Sequence, residues 1–382
     1  DCVLAPQVEI ALNSIKAGGF TSSPFICPIR TDLFMLFWLG QNAADVYGPL
    51  RLFASYLFLT GLGTAMAAIL TLILLPRLWR FLPRDRGRAY AVDADKSEGK
   101  PVGAGIIFVP IFVFVCVLTG PLDVRLLSAL GCIILISLAG FLDDRAGGWN
   151  EYVLGIIDLV VGGFAATAVC GLEPYQLWLP LFKSTVTISP WLFIPAASVL
   201  IWLAINATNC TDGVDGLSGS LCALAFIYLA GILYGIVGHR EIARYLLVPH
   251  YADGANWALL AFVMVGCLAG YLWYNANPSQ VLMGDAGSRP MGMLLGILVL
   301  ACGNPLLIFV VAGVVLVNGA TGLLKVALLR FFKIWIFKEV RYPLHDHFRH
   351  NRGWSNTQVL VRFMLLQAVG TPILLVLLLK IR

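Results

Sequence analysis

The chain has 382 residues, of which 59% are hydrophobic and only 12% charged, with a formal net charge of +5. A water-soluble domain needs about twice that charged fraction to cover its surface, so the composition excludes one and requires lipid as the main solvent. No basic stripe lies on a soluble stretch, which excludes a nucleic-acid binder.

Residues 1–50 contain only the short apolar stretch Leu33–Leu39 and no basic leader followed by a small-residue cleavage site. They are expected to form an N-terminal extension, either non-native or an interfacial helix, rather than a signal peptide. From residue 51 onward the apolar runs are long, unbroken and rich in Leu, Ile, Val and Gly rather than alternating, as membrane helices require and strand barrels do not. Windows of about 20 apolar residues predict spans at 51–77, 104–120, 126–142, 152–171, 191–207, 217–237, 257–274, 291–302, 306–329 and 357–379. The expected fold is therefore an all-α polytopic membrane protein of about ten transmembrane helices, with residues 51–382 as one domain. The 291–302 run is short and is expected to start earlier or to tilt.

Lys and Arg orient these spans. The alternate connections 77–103, 143–151, 208–216, 275–290 and 325–355 hold most of the basic residues, including Arg77, Arg80, Arg84, Arg86, Arg88, Lys333, Lys338, Arg341, Arg349 and Arg352. The positive-inside rule makes that set cytoplasmic and both termini extracytoplasmic. Six acids scattered through the sequence, Asp143, Asp144, Asp212, Asp215, Asp285 and Asp346, then share the cytoplasmic face.

Each acid belongs to a small polar motif. Asp143-Asp144 ends the third span; adjacent helical side chains diverge by about 100°, so one carboxylate suits a base and its neighbour a metal or cation. A solvated helix end paired with Arg145 explains the pair equally well. In Asn206-Ala-Thr-Asn209-Cys-Thr-Asp212-Gly213-Val-Asp215-Gly216, the two amides and the two acids are each three residues apart and share a helical face. A helix cap needs one such residue, not four with two glycines, so a functional role outweighs capping. Gly284-Asp285-Ala-Gly287-Ser288 lets a phosphate and its Mg²⁺ approach closely, although a Gly-rich turn has the same composition. His345-Asp346-His347, beside Arg349 and Arg352, suits metal binding, proton movement or a diphosphate clamp, or else a cationic loop on anionic lipid.

Phosphoryl transfer at a membrane surface uses such a set: a metal on a diphosphate, a carboxylate to activate the acceptor, and cations for the leaving phosphate. No G-x-x-x-x-G-K-[ST] loop is present, which disfavours an ATPase. A transporter would place acids at midspan and repeat its halves; Asp158 is the only acid deep in a span, and no repeat is evident. A CDP-alcohol phosphotransferase would need an Ala and an Arg that the Asp212 motif lacks.

The ordered motifs, from Asp143-Asp144 to His345-x-His347, resemble the polyprenyl-phosphate N-acetylhexosamine-1-phosphate transferases. Gly238-His-x-x-Ile-Ala-x-Tyr-Leu246 and Gly353-Trp-Ser-Asn-Thr-Gln-Val-Leu-Val-Arg-Phe363 resemble the branch that uses UDP-MurNAc-pentapeptide rather than UDP-GlcNAc. The resemblance runs from about residue 51 to the end. It implies a Mg²⁺-dependent enzyme of the bacterial plasma membrane that joins phospho-MurNAc-pentapeptide to undecaprenyl phosphate. It is also compatible with a homodimer and with inhibition by nucleoside natural products. By matching position it makes Asp285 the Mg²⁺ ligand and Asp143 the base, with Asp144 in support and His345 and His347 in the catalytic set. Lys100, Asn206, Asn209, Asp212, Gly213, Asp215, Asn275 and Asp346 fall among the substrate-binding residues. The chain departs from the pattern at Asp346, which replaces the middle of three histidines, at Glu98–Gly105, at Arg145–Glu151, and at Asn318, where the family tends to have an acid.

Overall fold

A computed structural model describes residues 35–42, 47–87, 97–120, 123–180, 182 and 184–380; the expectation for residues 1–34 lies outside the described residues. The described residues belong to one unit, Asp32–Arg382. In chain order the helices are α1 (Met35–Asn42), α2 (Tyr56–Leu78), α3 (Gly105–Thr119), α4 (Val124–Ala146), α5 (Glu151–Cys170), α6 (Pro190–Thr211) and α7 (Leu217–Gly231). They continue as α8 (Arg240–Tyr245), α9 (Gly254–Asn275), α10 (Asp285–Ala301), α11 (Leu307–Val311), α12 (Gly313–Val315), α13 (Thr321–Ala327), α14 (Leu344–Arg352) and α15 (Asn356–Lys380).

Local chemistry sets several of these boundaries. Asp123 starts α4 by accepting from the Leu126 N–H at 2.9 Å, and Asn150 starts α5 by accepting from the Tyr152 N–H at 2.8 Å. Gly147, at φ +83°, ends α4 in the left-handed conformation, its N–H bonded to the Asp143 carbonyl at 3.0 Å.

Among the described residues, eight helical segments are long and apolar enough to cross a membrane. The expected spans 104–120 and 291–302 fall instead on shorter helices, α3 with 15 residues and α10 with 17. As anticipated, the second starts earlier, at Asp285. Every residue of α10 from Asp285 to Leu300 is buried. A helix wrapped by protein needs no lipid-facing surface, which is why its sequence reads weakly as a span. The expected span 306–329 is broken into α11 and α12 and passes through wider turns before and after α13. Apolar side chains stand on the outer faces, as a lipid-facing surface requires: Leu57, Ile156, Phe164, Val199 and Leu366 are more than half exposed.

Helix α10 packs against α3, α4, α5, α6 and α7. Two glycines allow its first turn to be reached: a Cβ at Gly105 or Gly140 would overlap the backbone at Asp285–Gly287. At one end of the bundle the polar connections are stitched together. Leu282 N–H donates to the Pro101 carbonyl at 2.8 Å, and Arg330 donates to Glu151 at 2.8 Å. At the other end a two-stranded antiparallel hairpin, β1 (Tyr175–Leu177) with β2 (Val186–Ile188), is held by the Trp178 N–H on the Gly303 carbonyl at 3.0 Å.

Candidate active site

The site is built at the N-terminus of α10, where unpaired backbone N–H groups need acceptors. Gly284 precedes the helix at φ +69° and has no side chain to cap it. The acceptor comes from α4: Asp144 takes the Asp285 N–H on one oxygen and the Ala286 N–H on the other, both at 3.0 Å. A carboxylate is favoured there by the helix dipole as well. Asp143 accepts from the Trp149 N–H and has an oxygen within 4.8 Å of Asp285.

Oxygens of Asp143, Asp144 and Asp285 lie within 4.8 Å of one another. Divergence along a helix led to the expectation of separate tasks for Asp143 and Asp144, yet the structure brings both within reach of one ion. Asp285 is held on both oxygens. Asn209 donates to Oδ1 at 2.8 Å and Arg289 Nε to Oδ2 at 2.8 Å. Asn209 also donates to Ser288 Oγ at 3.0 Å.

Asn206, one turn before Asn209 on α6, shares its face but serves a different acid. Its amide donates to Asp158 at 3.3 Å and to the Trp202 carbonyl at 2.9 Å. Asp158 also accepts from Arg289 Nη1 at 2.6 Å. Sequence reasoning gave no role to Arg289 and treated Asp158 only as a lone deep acid; an Arg four residues after Asp285 was the available signal.

The remaining residues form a second cluster. Asp215 accepts from the Ser279 N–H at 3.1 Å, and Lys100 Nζ donates to Ser279 Oγ at 3.0 Å. Asn275 is buried with both ends of its amide on backbone: it accepts from Gly216 N–H and donates to the Val281 carbonyl, each at 2.8 Å. Asp212 is half-buried where α6 ends and Gly213 is exposed.

The histidine segment meets this loop from the other side. A Cβ on Gly213 would stand 2.5 Å from His345 Nε2, while the His345 N–H donates to Asn318 Oδ1 at 2.8 Å. Asn318 also donates to Thr211 Oγ1 at 3.1 Å. Asp346 pairs with Arg349 at 3.4 Å and lies 3.8 Å from the His345 ring. Burial pushes its carboxyl up, against the pull of Arg349 and Arg341. His347 accepts from the Arg341 N–H at 3.3 Å.

Burial, helped by Arg349, lowers His345 from 6.5 to about 3, so its ring is neutral at physiological pH. Between about pH 6.5 and about 3 the unfolded chain therefore binds a proton that the folded chain refuses, and stability falls as pH falls. His345→Gln is expected to flatten that dependence by at most about 1.4 kcal/mol per pH unit. Thermal unfolding of both proteins between pH 7 and pH 5 checks this, and parallel curves would contradict it.

Positions 126–303 match the family model described as glycosyl transferase family 4. Over 348 residues the chain is 48% identical to the phospho-N-acetylmuramoyl-pentapeptide-transferase of Treponema pallidum, covering 88% of this chain and 94% of that protein. The protein of the same name from Helicobacter pylori (strain HPAG1) is 30% identical over 354 residues, 88% of this chain and 98% of its own. That of Wolinella succinogenes is 27% identical over 369 residues, 91% of this chain and 100% of its own.

Proposed function

This chain belongs to the phospho-N-acetylmuramoyl-pentapeptide-transferase family, and from that premise we propose how its residues divide the work. The enzyme is a phosphoglycosyl transferase of peptidoglycan synthesis: it passes phospho-MurNAc-pentapeptide from its UDP carrier to undecaprenyl phosphate, forming lipid I and releasing UMP. It is a multi-pass membrane protein. We infer ten crossings in the bacterial plasma membrane, with α3 and α10 completing the eight long segments, both termini outside and the acids facing the cytoplasm. The excess of Lys and Arg on the connections that carry those acids supports this orientation.

The residues fit a divalent metal. Three carboxylates with oxygens within 4.8 Å form a hard-oxygen donor set, and each oxygen of Asp285 keeps a lone pair beyond its bond to Asn209 or Arg289. Asp285 would hold Mg²⁺ with Asp143 and Asp144 in reach; when bound, the ion neutralises diphosphate charge. Asp143 takes the proton of the lipid phosphate, whose oxygen then attacks the sugar-linked phosphorus as its bond to the UMP oxygen breaks. Asp144, with both oxygens on backbone N–H groups, fixes the start of α10 instead. The observation that carries this division is that asymmetry between neighbours: Asp144 has both oxygens on the start of α10, whereas Asp143 accepts from the Trp149 N–H and has an oxygen within 4.8 Å of Asp285.

Lys100, Asp212 and Asp215 would contact the donor, and Asn275 would hold their loops in register. His345, neutral and beside Gly213, would bound the pocket as a hydrogen-bonding group rather than a cation. His347 and Asp346 would lie at its rim. Nucleoside natural products would compete for the same pocket, and a homodimer is the assembly this reading admits.

Purified protein with undecaprenyl phosphate, Mg²⁺ and UDP-MurNAc-pentapeptide is expected to release UMP, and UDP-GlcNAc is not expected to replace the donor. Equal rates with both donors would favour the sister transferases. In the same assay Asp143→Asn is expected to lower turnover by about 10²–10⁴-fold with donor binding nearly unchanged. Selective loss of donor binding would argue against a base.

A further inference from the structure

Arg289 and Asp158 lie outside every role assigned above, yet they are among the most enclosed charges in the molecule. Side-chain exposure is 7% for Arg289 and 1% for Asp158. Arg289 reaches Asp285 through Nε at 2.8 Å and Asp158 through Nη1 at 2.6 Å, so one planar guanidinium bridges two carboxylates on different helices. Asn206 donates to the same oxygen of Asp158 at 3.3 Å.

A cation bonded to a metal-ligating carboxylate has two opposed effects. It orients the carboxylate and offsets repulsion within the acid cluster, but it also competes with the metal for the same negative charge. Asp158 resolves the conflict, because its carboxylate neutralises Arg289 from the far side and leaves the charge of Asp285 available. We propose that Asp158 and Arg289 are positioning residues that act as a charge-balanced brace, in which Arg289 aims Asp285 while Asp158, on α5, stops Arg289 from displacing the metal. The brace rests on the reading of Asp285 as a metal ligand. Asp158 is bonded to Arg289 and Asn206, and it acts on Asp285 through Arg289.

The test is Mn²⁺ binding, followed by electron paramagnetic resonance on the full chain in detergent, with no substrate present. In Asp158→Asn the uncompensated Arg289 falls wholly on Asp285, and the Mn²⁺ Kd is expected to rise about tenfold, the equivalent of about 1.4 kcal/mol. Asp158→Asn combined with Arg289→Gln removes the uncompensated cation as well and is expected to bring Kd back below that of Asp158→Asn alone, short of the wild type because Asp285 is no longer aimed; a Kd no lower than in Asp158→Asn would overturn the brace. A merely structural role would lower the melting temperature of Asp158→Asn and leave its Kd alone, and that result would overturn the brace. Should Asp158→Asn not fold, Arg289→Lys takes its place. Its point charge cannot bridge both carboxylates, so Kd is expected to rise likewise, and an unchanged Kd would overturn the proposal. Asp285→Asn separates the two readings. Mn²⁺ binding retained in that variant defeats the metal site and the brace with it, whereas binding lost there but unchanged in Asp158→Asn defeats the brace alone.

Discussion

Asp285→Asn is expected to cut turnover by on the order of 10³-fold or more, with the fold intact. The substitution keeps the shape of the side chain and removes its charge where three carboxylates converge and a diphosphate must be held. It also replaces an acceptor by a donor that would face either the Asn209 amide or the Arg289 guanidinium, both donors themselves. The fold should survive because Arg289 keeps Asp158 as its partner at 2.6 Å, so no charge is left buried alone. UMP release across a range of Mg²⁺, set beside the melting temperature, makes the comparison. Near-normal turnover in a folded sample would refute the assignment of Asp285 to the metal.

Gly140→Val is expected to inactivate the enzyme without touching a functional group. A Cβ at Gly140 would overlap the Asp285 carbonyl carbon and oxygen, which are backbone and cannot rotate away. The start of α10 would have to move, pulling Asp285 from Asn209 and its N–H groups from Asp144. Overpacking of this kind costs about 3 kcal/mol, and a shift of about 1 Å in a catalytic group costs on the order of 10²-fold in rate. Gly131 is the control. It lies on the same helix with nothing within 4 Å of its Cβ direction, so Gly131→Val should be near wild type in both respects. Equal damage at the two positions would show that helix propensity, not contact with α10, is responsible.

Particular residues show how far the sequence could be read. The gathering of Asp143, Asp144 and Asp285 followed from span parity and the distribution of Lys and Arg, because helices of one membrane thickness return alternate connections to one side. The pairing of Asn206 and Asn209 on one face followed from helical spacing. Their different partners did not, since Asp158 and Asp285 reach α6 from two other helices. Asn275 is placed among the substrate-binding residues by its match to the family pattern alone; in three dimensions its amide clips Gly216 to Val281. Asp346 is one of the six acids and departs from the family's three histidines, and the structure gives it Arg349 as a partner.

Composition and periodicity by themselves determined that this is a helical membrane protein with its acids at one end, since in hydrocarbon every backbone group must be bonded within its own helix and long apolar runs are the direct record of that demand. The tertiary structure alone decided which helix is central and how the acids are held. Arg289 meets Asp158 across 131 residues and Asp144 caps a helix that begins 141 residues later. Neither contact leaves a local pattern, because each joins helices distant in sequence, as where Gly140 lets α4 approach the start of α10, and proximity of that kind is a property of packing rather than of sequence spacing.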